Sequence, residues 1–227
     1  VTIGNIENNL ATNNSLRLGY WNGSYGYDYV SNESLLGWWN FDETSWNQVS
    51  GEVKDNTGRY NGTANNANTS SEGIFYRTGN FSGIDQYVNT TDIVGLYGNI
   101  TVSAWIKTNS SSEQEIVANF EQPSPFVGFA FNIGSASAGQ VGKLSFYAST
   151  VSAGESFRPT SGGTTVTDGQ WHHVAVTMNG ATQTIYRDGV VDTTYTRTQL
   201  VGDSSNLVRI GADNNAGTAR DFNGSID

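Results

Sequence analysis

The sequence predicts an all-β chain folded as a two-sheet antiparallel sandwich or jelly roll, and three features carry that expectation. Helical periodicity is nearly absent, because no window of about 11 residues or more places apolar side chains at i, i+3, i+4 and i+7. Short runs rich in aromatic and β-branched residues recur between clusters of Gly, Asn, Asp and Ser. Two dipeptides, Asn179-Gly180 and Asp188-Gly189, sit between alternating runs as hairpin turns do. Spacing of this kind belongs to two packed layers of strands.

In chain order the predicted strands are Leu35–Phe41, Gln86–Asn89, Ile100–Lys107, Glu115–Phe120, Phe126–Ile133, Lys143–Ser149, His172–Asn179, Gln183–Arg187 and Leu207–Gly211. Met178-Asn179-Gly180-Ala181 predicts a type I′ turn, and Arg187-Asp188-Gly189-Val190 a second, so His172 to about Asp192 reads as a meander. Along Trp171–Met178 both alternating sets contain apolar members, which predicts burial on both faces. The first 34 residues read differently: Leu16–Trp21, then a Gly/Ser/Tyr stretch through Tyr29. Residues 1–34 are therefore taken as an N-terminal extension: a linker, an added edge strand or a contact surface. Residues 35–227 form the main domain. Trp21 with Tyr20, Tyr25, Tyr27 and Tyr29 makes either a sugar-stacking platform or a cover over the sandwich.

Composition narrows the classes of function. The 227 residues carry 11 basic and 21 acidic side chains, a net charge of −10, with no cysteine. Broad phosphate contact with nucleic acid needs the opposite charge. Disulfide scaffolds and thiolate metal sites need cysteine. No apolar run approaches the about 18 residues of a membrane-spanning helix. The 25 Asn, 24 Ser and 24 Thr resemble a disordered composition, but 12% aromatic content supplies a core that disorder lacks.

From Leu35 onward a series of motifs appears in order: Leu36-Gly37-Trp38-Trp39-Asn40-Phe41-Asp42-Glu43, Asp55–Thr63, Gly79–Val88, Ile100–Lys107, Asp168-Gly169-Gln170-Trp171-His172-His173-Val174-Ala175, Tyr186–Gly189, Ile210–Asp213 and Phe222–Asp227. Together they resemble the laminin-G-like, concanavalin A-like jelly-roll domains of secreted and cell-surface proteins. The resemblance covers about residues 35 to 227 and implies fold more than function, because this architecture hosts many roles. The family's last strand continues past its aspartate. Here Asp227 is the last residue, which implies either an incomplete closing strand or one supplied by a neighbouring chain.

The resemblance also implies a structural calcium ion joining the first strand, the Asn/Gly loop and the last strand. Calcium takes six to eight oxygen ligands, and the matching residues are Asp42, Asn56, Gly58, Asn61 and Asp227. The alternative is that these carboxylates simply shape turns. A catalytic set is not expected. No Glu-x-Asp-x-x-Glu run occurs, and Glu113 and Glu115 read as a solvated turn entering a strand. His172 and His173 have no Gly-x-Ser-x-Gly elbow to serve, and the resemblance makes His173 a packing residue. Trp46 and the loop Asp213-Asn214 are further candidates for sugar contact, with core packing and a plain turn as the competing readings.

Ten Asn-x-Ser/Thr sequons occur, at Asn13, Asn22, Asn32, Asn61, Asn68, Asn80, Asn89, Asn99, Asn109 and Asn223. Random placement gives about five, so these are candidate glycosylation sites of an exported protein. The expected function is a non-catalytic, extracellular, carbohydrate-binding or adhesion module of a cell-surface protein, with carbohydrate or neighbouring surface subunits as partners. The alternatives are a glycosylated structural subunit or decoration of a surface layer or filament, and an accessory domain of a glycoside hydrolase.

Overall fold

A computed structural model of the chain describes residues 1–5, 35–93, 99–120, 127–134, 140–149, 163–196, 202, 204, 206–213 and 220–227. Among these residues the only regular elements are strands, and every ladder is antiparallel. One sheet runs in the order β13 (Val190–Thr196), β12 (Thr182–Arg187), β11 (Trp171–Asn179), β7 (Ile100–Lys107), β15 (Asn223–Ile226), β5 (Thr78–Ser82), β4 (Asn68–Ser70). It also holds β1 (Thr2–Asn5), which pairs with β7 and with β2 (Leu35–Trp38). The second sheet runs β10 (Leu144–Ser149), β9 (Gly128–Ile133), β8 (Gln114–Ala118), β14 (Arg209–Ile210), β6 (Tyr87–Asn89), β3 (Thr63–Asn65).

The period-2 alternation of these strands builds the core. Phe129, Phe131 and Ile133 of β9 and Leu144 and Phe146 of β10 join Ile100, Val102 and Ile106 of β7 and Val174, Val176 and Met178 of β11 in one buried cluster. Each such side chain contributes roughly 1.5–3 kcal/mol when removed from water. The alternate residues Ala130 and Tyr147 point the other way and pack with Ala118 and Phe120 in a small satellite cluster. There the rings of Phe120 and Tyr147 meet edge to face at 4.4 Å.

The jelly-roll expectation holds, and most predicted strands recur within a residue or two. Phe126 lies outside the described residues. β3 and β4 went unpredicted because Thr-Ala-Asn and Asn-Thr-Ser carry no apolar alternation. Two of the following three details differ from expectation. The first hairpin joins Asn179 to Thr182 through Gly180-Ala181, with only Gly180 at positive φ (55°), the type II′ pattern rather than I′. The second has both Asp188 (51°) and Gly189 (78°) left-handed, as type I′ requires. On β11 only the face of His172, Val174, Val176 and Met178 is fully buried; Trp171, His173 and Thr177 on the other face are half-buried.

Residues 2–5 are not an added edge strand. They lie inside the nine-stranded sheet, with β7 on one side and β2 on the other. Residues 6–34 lie outside the described residues, Trp21 among them.

Phe81 is fully buried against Phe222 at 6.3 Å, and Gly211 makes room for it. A Cβ at Gly211, where φ is +88°, would lie 2.8 Å from the Phe81 ring, whereas one at Gly58 (φ +77°) would meet nothing within 4 Å. Gly58→Ala is expected to cost about 1 kcal/mol of backbone strain, and Gly211→Ala that amount plus about 1–3 kcal/mol of overpacking. Urea denaturation of both variants checks the difference; equal losses would show that the Phe81 contact gives way freely.

Candidate functional site

The chain leaves β2 through a strained residue. Phe41 is fully buried, packs edge to face on Trp46 at 5.2 Å, and holds φ at 54°, a region that bulky side chains rarely occupy. That turn delivers Asp42. Its Oδ1 accepts the backbone N–H of Arg77 at 3.2 Å and its Oδ2 accepts Asn40 Nδ2 at 2.6 Å. Arg77 then donates to the carbonyls of Glu43 (2.9 Å) and Thr44 (3.0 Å) and to Thr69 Oγ1 (2.9 Å). From the other side Asp227, fixed by two backbone bonds to Trp105, accepts the N–H groups of Ile74 at 2.9 Å and Phe75 at 3.4 Å on Oδ2.

Two carboxylates thus pin residues 71–77, the loop between β4 and β5. Its tip presents Phe75 and Tyr76, 73% and 66% exposed, as neighbouring aromatic side chains in solvent. Burial pushes the Asp227 carboxyl above its ordinary range, and the charge of Asp42 pushes the same way, against the hydrogen bonds from Ile74 and Phe75. The corner therefore combines two carboxylates that hold one loop, an anchored guanidinium and two exposed aromatic side chains.

Of the five expected calcium ligands the structure brings Asp42 and Asp227 together. Asn56, Gly58 and Asn61 belong to a loop organised around the buried carboxylate of Asp55. That carboxylate accepts the backbone N–H groups of Trp38 (2.9 Å), Thr57 (3.0 Å), Arg59 (3.1 Å) and Tyr60 (2.8 Å), and the Thr57 hydroxyl. Burial pushes the Asp55 carboxyl upward, but these donors together outweigh it and hold the group below its usual range. Asn61 Oδ1 accepts the Asp55 N–H at 3.0 Å, Gly58 N–H donates to the Asp55 carbonyl, and Asn56 N–H donates to Trp38 O. Among the described residues no three His, Cys, Asp or Glu side chains converge as a metal cluster.

The other sequence candidates separate clearly. Trp46 is a core side chain, 4% exposed, so its faces are not available to a ligand; its Nε1 donates to Glu43 at 3.0 Å. Asp213 is buried beside Arg220 at 3.4 Å rather than displayed on a loop, and Asn214 lies outside the described residues. Asn13, Asn22 and Asn32 also lie outside them. Asn68, Asn80, Asn109 and Asn223 are exposed, whereas Asn61, Asn89 and Asn99 are half-buried with their amide oxygens accepting from Asp55, Arg209 and Gly180. His172 is clasped between Asp188 (2.8 Å) and Asp168 (3.1 Å), which locks the hairpin strand to the preceding turn. His173 packs edge to face on Trp105 at 5.3 Å, as a packing residue would.

Sequence reasoning missed two features. Phe75 and Tyr76 were signalled only by Ile-Phe-Tyr, an apolar run without strand alternation inside a polar loop. Glu115 is 1% exposed and not a solvated turn residue. It lies with Arg220, Asp213, Glu113 and Asn132, whose Nδ2 reaches its Oε1 at 3.3 Å. Burial, with help from the Asp213 charge, pushes its carboxyl up to about 8, so it is largely protonated at neutral pH.

A family model, Laminin_G_3, of the concanavalin A-like lectin/glucanases superfamily, matches residues 81–227. The binding domain of Paraclostridial Mosquitocidal Protein 1 superposes with a TM-score of 0.59 at 16% identity, covering 80% of this chain and 46% of that one. Domain 4 of AbnA, a GH43 extracellular arabinanase from Geobacillus stearothermophilus, solved in complex with arabinotriose, superposes at 0.57 with 14% identity over 76% of this chain and 82% of that one. A putative carbohydrate binding protein from Bacteroides ovatus gives 0.50 at 21% identity over 66% and 41%. At these identities the likeness establishes the jelly-roll fold, and the chain spans less than half of the first of these proteins. No curated protein matches the chain in sequence.

Glu115 sets a pH dependence whose sign follows from linkage. The folded state holds its proton up to about pH 8, while the unfolded chain releases it near the ordinary value of 4.5. The folded state therefore binds more protons in between, and stability falls as pH rises from about 5 to 8, by a few kcal/mol at most. Glu115→Gln is expected to flatten that slope and raise Tm at pH 8. Melting curves across the range check it, and a wild-type Tm that climbs between pH 5 and 8 in step with the variant would refute the assignment.

Proposed function

Because the chain belongs to the Laminin_G_3 family of the concanavalin A-like lectin/glucanases superfamily, we propose that it is a non-catalytic carbohydrate-binding or adhesion module of an extracellular, cell-surface protein. The observation that carries this reading is the pair Phe75 and Tyr76, held in solvent on a loop tied down by Asp42 and Asp227. An aromatic face covers the apolar C–H face of a sugar ring, and a fixed backbone spares the ordering cost of binding. The Asp42 carboxylate and the Arg77 guanidinium of the same corner are the proposed partners for sugar hydroxyls. The arabinotriose complex of the AbnA domain makes arabino-oligosaccharides the first ligands to try.

Calcium has a place in this proposal at the same corner. Asp42 and Asp227 repel one another, and a hard divalent cation drawing on their remaining oxygen lone pairs would relieve that repulsion. Its role is to stiffen the loop that displays the rings. The exposed sequons Asn68, Asn80, Asn109 and Asn223 are the proposed acceptors of glycan in an exported protein.

A glycan array followed by calorimetry tests the binding. Phe75→Ala and Tyr76→Ala are each expected to weaken the captured glycan at least tenfold, about 1.4 kcal/mol, with Tm within a degree or two of wild type. Trp46→Ala is expected instead to lower Tm through the loss of about 3–5 kcal/mol of core packing. Full affinity in both loop variants would remove the site, and a silent array from the folded protein would remove the lectin reading. For the ion, adding calcium is expected to raise Tm and EDTA to reverse it, with Asp42→Asn abolishing the response; a Tm indifferent to both overturns calcium.

A further inference from the structure

His172, the second residue of β11, is held by charge on both sides of its ring. Its side chain is 11% exposed, and each ring nitrogen meets a carboxylate. Nδ1 lies 2.8 Å from Asp188 Oδ2, in the turn between β12 and β13. Nε2 lies 3.1 Å from Asp168 Oδ1, in the turn that leads into β11. An ionised carboxylate only accepts hydrogen bonds, and a neutral imidazole carries a single N–H. Either neutral tautomer would therefore set a ring lone pair against a carboxylate oxygen. The imidazolium alone donates on both sides, so the geometry fits the charged ring.

The two partners are held unequally. Asp188 also accepts the His173 N–H on Oδ1 at 3.0 Å, and Arg187 Nε lies 3.8 Å from its Oδ2. The Asp168 side chain is 52% exposed, and besides the ring its Oδ1 accepts the Gln170 N–H at 2.9 Å, within the same turn. The Gln170 N–H, and then the His172 ring, hold the Asp168 carboxyl below its ordinary range. Around this turn the backbone is fastened at two points. Val166 is fully buried and its N–H donates to the Gly142 carbonyl at 2.8 Å, while the Gly169 N–H donates to the Thr108 carbonyl at 3.0 Å. A ring that loses one proton keeps the other on Nδ1, at the shorter and better anchored bond. Its bare Nε2 then repels the Asp168 carboxylate, which is free to turn towards water.

We propose that His172, Asp168 and Asp188 form a pH-operated clasp on residues 167–170, closed while the ring holds two protons and opened at Asp168 when it holds one. Histidine is the side chain that ordinarily changes charge between about pH 5 and pH 8, so the clasp is closed on the acid side and open on the alkaline side. The charged groups at the ring are the two aspartates, with Arg187 beyond Asp188. From β7 the cross-strand neighbour is the apolar Ile106, and Lys107 lies opposite the adjacent Trp171. His173, the other histidine of the chain, packs on Trp105, where burial pulls its imidazole below the ordinary range against the charge of Asp188. The switch is thus one ring and the element it biases is one turn. The clasp shares no residue with the 71–77 loop and stands whether or not that loop binds carbohydrate.

Nitrogen NMR of the two imidazole rings and amide hydrogen exchange test the clasp in the wild-type chain. Both nitrogens of His172 are expected to carry protons at about pH 5, and Nδ1 alone at about pH 8. Over the same range the protection factor of the Gly169 amide, corrected for intrinsic exchange, is expected to fall about tenfold or more, while that of Val166 stays within about twofold. Asp168→Asn separates the clasp from a general loosening. Its side-chain amide can accept from a protonated Nε2 or donate to a bare one, so Gly169 is expected to remain protected at both ends of the range. A bare ring nitrogen on His172 at the acid end, or Gly169 protection indifferent to pH in the wild type, overturns the clasp. So does an Asp168→Asn variant whose Gly169 protection falls with pH as the wild type's does.

Discussion

The need of β7 for a partner along both backbone edges governs the larger sheet. Ile100, Val102, Ala104 and Ile106 point into the core, so the main-chain groups of this strand are out of reach of water and must be paired. β11 supplies one whole edge. The other is divided between β15 and β1 at the level of Trp105 and Ala104. That division fixes where the segments Val1–Asn5 and Asn223–Asp227 lie. It also fixes the Asp42–Asp227 corner, because the backbone bonds of Asp227 to Trp105 set the carboxylate against the 71–77 loop.

Carboxylates take over where regular pairing stops. Asp55 gathers four backbone N–H groups and a hydroxyl, Asp227 takes two N–H groups, and Asp188 takes the His173 N–H and the His172 ring. In each case a charge-assisted acceptor orders a loop too polar to bury. In this way a chain with only 14% charged residues keeps long Asn/Ser/Thr-rich connections in place. Glu115 behaves differently: it is held among other acids beside Arg220, and it keeps its proton instead.

How much of this was readable from the sequence depended on the length scale of the signal. β7, β9, β10 and β11 announced themselves because apolar and β-branched runs of six or more residues between turn clusters rarely arise outside strands, and Asp188-Gly189 specified its turn outright. β3 and β4 had no such signal, since their pairing with β6 and β5 is a tertiary fact written in three residues each. The place of Val1–Asn5 was hidden for a similar reason. Five residues, Val-Thr-Ile-Gly-Asn, suit a strand anywhere, and only their pairing with β7 and β2 fixes their position. In the corner, Asp42 and Asp227 stand out in the sequence because they occupy motif positions. Trp46 misled because exposure cannot be read from a lone aromatic in a polar stretch, and Phe75 and Tyr76 were missed for the same reason in reverse.

The Asp42–Asp227 corner depends on the larger sheet. Asp227 exchanges two backbone bonds with Trp105 of β7, and its carboxylate holds the N–H groups of Ile74 and Phe75. Burial disfavours the ionised form of this group, so the loop is held by a carboxyl whose charge its surroundings must compensate. Strand pairing and the position of the 71–77 loop are thus linked through one residue: a shift of the Asn223–Asp227 segment along β7 would carry with it the carboxylate to which the loop backbone is bound.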